Sequence, residues 1–260
     1  MKRLLVGLAA VAVLGTAQAG RNCEAQVPDV ATVQRAMDLA ERTARALDAS
    51  GARVVVLARN GQDLARWGLR WSHLGWAYKD EQGSRPVWRV VHKLNACGSA
   101  TGAIYRQGLG EFFLDDLHEY VAGFAVPTPE LQARLLPVLR NDSRATALHT
   151  SAYSMVAYPW STTYQQSNQW AIETLALAQD ERVSNRPQAQ AWLQLQGYRP
   201  STLHIGALTR LGARMSAGNV AFDDHPNEKR FADRIETVTV DSVFAWLERS
   251  ALAGRLQTVR

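Results

Sequence analysis

The chain has 260 residues, 47% of them apolar, and a formal net charge of +5. That apolar fraction suffices for a buried core and excludes an intrinsically disordered chain. The charge is small and the basic residues are dispersed, which argues against a nucleic-acid partner.

In chain order, Met1-Lys2-Arg3, an apolar run from Leu4 to Leu14 and Ala17-Gln18-Ala19 have the form of a signal peptide over 1–19. The run is shorter than the roughly 20 residues that span a bilayer. The expectation is a mature chain over 20–260 without a transmembrane segment, periplasmic or secreted. No Pro/Gly/Ser-rich linker and no internal repeat divides it, so one domain is expected.

Residues 28–50 predict a helix with Val30, Val33, Met37, Ala40, Ala44 and Leu47 on one face, Asp29 near its start and Gly51 closing it. Residues 53–58 predict a strand. Residues 72–79 and 87–92, joined by the polar turn 80–84, predict a β-hairpin. A strand is expected within 117–126. Thr128-Pro129 predicts a helix start, with Pro at the first position where no N–H is missed. Residues 167–178 predict a buried helix on the face of Trp170, Ala171, Leu175 and Ala178, and 186–197 another. Residues 200–211 read as short helix or irregular, 220–224 and 237–240 as short strands, and 242–252 as an amphipathic helix. Clustered rather than alternating elements give an α+β class, with an antiparallel sheet packed by helices. G-x-G-x-x-G, P-loop, G-x-S-x-G, H-E-x-x-H and paired C-x-x-C patterns are absent, so no cofactor is expected.

The chemistry-bearing residues are few. His73 and His92 fall on the two strands of the hairpin. An imidazole near pKa 6.5 serves as a general base when a polar neighbour, here His92 or Asn95, orients it; two buried structural histidines are the alternative. Ser167 opens a helix, where the dipole and exposed N–H groups stabilise developing negative charge; a simple helix cap is the alternative. Trp71, Trp160, Tyr164, Asn168 and Gln169 crowd both sides as candidate pocket residues, with Trp76 and Trp170 expected inside. Cys23 and Cys97 are the two cysteines. In an oxidising compartment a disulfide between them is the leading reading, and a Cys97 nucleophile near His92 the rival. Asp223-Asp224-His225-Pro226, with Asp233 and Glu236, has metal-ligand residue types. Adjacent residues on an extended loop rarely converge on one ion, so a salt-bridged loop is expected and no metal site is assigned.

Ser72-His73-Leu74-Gly75, the Val91-His92 position, Gly108-Leu109-Gly110-Glu111-Phe112 and the stretch from Tyr164 to Trp170 together resemble the circularly permuted papain-like superfamily, which includes permuted NlpC-type peptidases and lecithin retinol acyltransferase relatives. The resemblance covers about residues 53–180, leaving 181–260 as a C-terminal extension. It implies His73 as base, His92 as orienting residue and Ser167 at the nucleophile position, where those proteins carry cysteine. Tyr153-Ser154-Met155, Ser167 to Trp170, Gly197-Tyr198-Arg199-Pro200 and Phe222 to Pro226 are similar to a family of exported bacterial proteins known as a domain of unknown function, over nearly the whole mature chain. The implied activity is an amidase, peptidase or acyl hydrolase acting on cell-envelope material. Serine in place of cysteine keeps a second expectation open, a non-catalytic binding or envelope-assembly factor that uses the same groove.

Overall fold

The computed structural model describes residues 28–260 except Gln82, Ser84, Cys97 and Asp116, and except the side chain of Ser216. The expected signal peptide and both partners of the expected Cys23–Cys97 disulfide lie outside the described residues, as does the rival Cys97 nucleophile.

Val54-Val55-Val56-Leu57 seeds the centre of the fold. These residues suit a pleated surface covered on both sides, and every position of β1 (Val54–Asn60) is buried. Around it the chain runs α1 (Val30–Ala49), β1, a 3-10 turn (Ala65–Trp67), β2 (His73–Asp80), β3 (Val87–Asn95), β4 (Gly102–Gly108), α2 (Leu109–Phe113), β5 (Glu119–Ala125), α3 (Pro129–Arg140) and α4 (Asp142–Ala145). Then follow α5 (Ser167–Gln179), α6 (Arg186–Leu195), β6 (Ser201–His204), α7 (Ala207–Ser216), α8 (Asn227–Arg230), β7 (Arg234–Thr237), α9 (Val240–Arg249) and β8 (Gln257–Val259). The main sheet has the order β4-β3-β2-β1-β5-β8, and β6 and β7 form a separate ribbon. All of these pairings are antiparallel.

Alternation along the strands divides the core. Val55 and Leu57 of β1, Ala77 of β2 and Val90 of β3 face α1 and α2, meeting Leu39, Leu47, Phe112 and Phe113. Val54, Val56 and Ala58, with Leu74, Trp76 and Val91, face the other way onto α3, α5 and α9. Trp76 and Trp170 are fully buried there, as expected; the Trp76 indole N–H donates to Ala171 O at 2.9 Å and fastens α5 to β2. The result is a single α+β domain with an antiparallel sheet between helical layers.

Local signals set most helix ends. Asp29 caps α1 and Thr128 caps α3 through side-chain acceptance from Thr32 N and Leu131 N, with Pro129 at the first position of α3. The stripe expected for α1 holds in part: Ala40 and Leu47 are buried and Ala44 packs on the core, but Val30 is 86% exposed and Met37 37%, and Ala36, Leu39 and Thr43 are buried in their place. The helix is rotated so that small residues approach the sheet, and Gly110 of α2 sits under Met37. Two C-terminal strand expectations also fail. Residues 220–224 form no strand, being irregular up to Phe222 and a turn at 223–224, and the helix α9 begins at Val240; the ribbon instead pairs β6, expected to be helical or irregular, with β7. Four-residue strands carry too little periodicity to be read locally, and Leu203 and Ile235 are buried in a cluster with Ile205, Val220 and Phe222 that forms only in the folded chain.

Candidate functional site

His73 opens β2 and His92 lies on the neighbouring strand. Their rings meet, with His73 Nε2 2.8 Å from His92 Nδ1, and His92 Nε2 is 2.7 Å from Gln107 Oε1 on β4. A carbonyl oxygen only accepts, so His92 carries its proton on Nε2 and offers the Nδ1 lone pair to the Nε2–H of His73. Three adjacent strands thus supply one oriented chain, Gln107 to His92 to His73. Gly75 makes room for it: a Cβ there would lie 2.8 Å from Val90 Cγ1 and 2.9 Å from His92 Cβ. Phe112 of α2 covers both rings at centroid distances of 5.9 and 5.2 Å. Burial, aided by the Arg59 guanidinium and opposed by the Gln107 bond, pushes His92 down to about 3, so it stays neutral at physiological pH.

Ser167 is the first residue of α5. The cap is its neighbour Gln166, whose side chain accepts from Asn168 N at 3.1 Å. Gln166 and Asn168 both donate to Val238 O, at 2.6 and 3.1 Å, and Asn168 Oδ1 accepts from Leu74 N at 3.2 Å. The helix start is therefore bound to β2 and to the segment before α9. Ser167 Oγ lies 3.4 Å from the phenolic oxygen of Tyr153. Tyr153 is buried, and that burial holds its hydroxyl above its usual pKa despite the serine bond.

The histidine and serine halves are not joined directly. Among the described residues, the Ser167 hydroxyl bonds to Tyr153, and no hydrogen bond links it to His73. Strand alternation is the reason: Leu74 and Trp76 point toward α5, whereas His73 packs with His92 and Phe112 on the α2 side. Both halves nevertheless border one cavity of about 260 Å³, where β2 begins. Its polar lining includes His73, Tyr153, Gln166, Ser167, Asn168 and Thr237. Its apolar wall comes from β6, α7 and the loops before β2, before α5 and before α8, with Leu69, Met155, Leu203, Ile205, Val220 and Phe222.

The remaining expected pocket residues divide. Trp71 and Asn168 line the cavity; Trp71 packs against Gly123, where a Cβ would lie 2.7 Å from its ring, and its backbone N–H donates to Asp241 at 3.3 Å. Asn95, Trp160, Tyr164 and Gln169 are not among its lining residues. Asn95 donates to Ala96 O, Trp160 meets Tyr198 edge-on, Tyr164 donates to Asp223, and Gln169 donates to Pro159 O. The acidic stretch is distributed over separate partners. Asp224 bonds His225, Asp233 pairs with Arg210 and Glu236 with Lys229.

Sequence reasoning missed Gln107, Tyr153 and a buried polar network beneath the site. Glu173, fully buried mid-helix in α5, accepts from Gln165 Nε2 at 2.6 Å, Arg186 Nε at 2.8 Å and Gln190 Nε2 at 2.9 Å. Arg186 also donates to the carbonyls of Ser161, Thr162 and Tyr164, tying down the loop that leads into Ser167. Lys93 donates to Gln165 Oε1 at 3.0 Å, and burial, with Arg186 nearby and against the pull of Glu173, lowers it to about 7. The available signal was a glutamate inside the apolar run Trp170-Ala171-Ile172-Glu173-Thr174-Leu175, which demands a buried partner.

The fold and site define a single-domain α+β protein with a cavity, part polar and part apolar, beside an antiparallel sheet. A family model described as "Uncharacterized protein conserved in bacteria (DUF2145)" matches residues 46–247, and the chain belongs to that family. No curated protein and no solved structure gave a match. Among the described residues, no helix is long and apolar enough to cross a membrane.

Proposed function

We propose that this is an exported binding protein that holds a small amphipathic ligand in the cavity between His73, Ser167 and the β6–α7 wall. The observation that carries the reading is the separation of the two polar pairs. Serine needs a base within hydrogen-bond reach to attack a carbonyl, and here its hydroxyl is engaged by Tyr153 while His73 is engaged by His92. A formed, largely apolar cavity with a few fixed polar groups is the usual make-up of a ligand site. Strand His73, strand His92 and helix Ser167 follow the chain order of the permuted papain-like proteins, and α5 packs on β2, so the reading is of such a groove used for binding.

A second reading, acyl or amide hydrolysis, is favoured by one observation: the Gln107–His92–His73 chain opens on the same cavity as Ser167. In it Ser167 attacks the carbonyl, His73 takes the proton, and Tyr153 with the α5 N–H groups holds the oxyanion. Catalytic contacts in ligand-free proteins are often longer than in the complex, so a bound substrate would have to bring His73 and Ser167 together.

Fluorophosphonate labelling with peptide mapping decides between them. The binding reading expects no adduct at Ser167, and full rescue of a deletion phenotype by Ser167→Ala. A Ser167 adduct that disappears in His73→Ala would overturn it in favour of hydrolysis.

A further inference from the structure

Two features of the cavity indicate its ligand. The first is its division by polarity. Leu203, Ile205, Val220 and Phe222 form a continuous apolar wall, which belongs to a small hydrophobic cluster separate from the two clusters of the main sheet. Among the described residues that line the cavity, Arg66 is the one with a permanent charge, and none is a carboxylate. Arg66 is exposed at the rim, its guanidinium stacked 4.5 Å over the Trp67 ring. The lining therefore suits a long apolar chain that ends in a negative group, and disfavours a cation.

The second feature is the helix α7. Thr209 and Ala213 line the cavity, and Arg210 ties the helix down through Asp233 and Ile205 O. On the opposite side Leu208, Leu211 and Met215, three and four residues apart, project outward with exposures of 86, 58 and 81%. Arg214, also exposed, lies on the same helix. One helix thus presents an apolar ridge to the outside and closes an apolar cavity on the inside, a placement that matches an anionic lipid surface.

We propose that the cavity is a site for a single acyl chain with an anionic head group: the chain lies along Leu203, Ile205 and Phe222, the head pairs with Arg66, and the ligand reaches the site from a lipid surface contacted by α7. This rests on the binding reading above and adds the ligand class to it.

The test uses the full chain and displacement of a fluorescent fatty acid by unlabelled octanoate, decanoate and dodecanoate. Each added pair of methylenes that is buried strengthens binding about tenfold. The expected result is therefore a steep rise along the series. Arg66→Ala should weaken dodecanoate about tenfold and leave dodecanol unchanged. Ala213→Trp, which fills the apolar end, should abolish binding. Its thermal midpoint checks folding, and the chain-length series on the unaltered protein stands independently of it. The source is read from transfer of the fluorescent acid out of phosphatidylglycerol vesicles: Leu208→Ser with Leu211→Ser and Met215→Ser should slow transfer at least fivefold without changing dodecanoate affinity. Unchanged transfer would overturn the lipid-surface route and assign the ligand to free solution. Equal affinity along the series, or no displacement, would overturn the acyl assignment. If short apolar peptides then bound and Ala213→Trp blocked them, the binding reading would survive with a different ligand. Peptide binding untouched by Ala213→Trp would overturn the cavity as the site and both readings with it.

Discussion

His73 Nε2 and His92 Nδ1 are 2.8 Å apart, and the second nitrogen of His92 is fixed by Gln107. His92 therefore has to stay neutral, and its pKa of about 3 against a usual 6.5 states the cost of protonating it in place. Between pH 6.5 and 3 the unfolded chain binds a proton at His92 that the folded chain does not. Folding stability should accordingly rise with pH through that window, by about 1.4 kcal/mol per pH unit at its middle, and become independent of His92 above it. Urea midpoints from pH 4 to 7.5, compared between the native chain and His92→Gln, isolate this slope from that of the carboxylates. Parallel profiles would show that His92 is not held neutral.

Gly75→Ala should cost about 1–3 kcal/mol, because the added methyl overpacks against Val90 and His92 on a strand that cannot withdraw. Nitrogen-detected imidazole spectra should show the His73–His92 bond lost. Gly108→Ala is the matched control. A Cβ there meets nothing within 4 Å, and the change should stay within about 0.5 kcal/mol.

Glu173→Leu should lower stability by about 3–5 kcal/mol, since it leaves the 5%-exposed Arg186 without its carboxylate in the core. Combining it with Arg186→Met should cost less than the two single changes added together, as measured by chemical denaturation. Simple additivity would mean that the pair does not act as a unit.

Tyr153→Phe removes the partner of the Ser167 hydroxyl and should cost about 1 kcal/mol. Burial holds Tyr153 above its usual range, so while the protein is folded it should contribute to the ultraviolet phenolate signal only at a higher pH than the exposed tyrosines. The titration curves of the native chain and Tyr153→Phe should therefore overlay through the ionisation of the exposed tyrosines and part only above it. A tyrosine step missing from the variant within that ionisation would place Tyr153 in contact with water.

The sequence alone determined what depends on neighbours along the chain. Asp29 and Thr128-Pro129 set helix starts because capping hydrogen bonds close within a few residues. The β2–β3 hairpin brings His73 beside His92 as its spacing implied, and Ser167 opens α5. Tertiary structure decided the rest. Which stripe of α1 is buried depended on how closely Ala36 and Ala40 let it approach the sheet. The β6–β7 ribbon joins segments about thirty residues apart, each too short to signal itself. Most consequentially for function, the pleat of β2 turned His73 toward Phe112 while α5 packed on Leu74 and Trp76. The residues expected for a catalytic pair are thus in the sequence, but the face of the sheet toward which His73 and α5 each lie is fixed only when the sheet is covered on both sides.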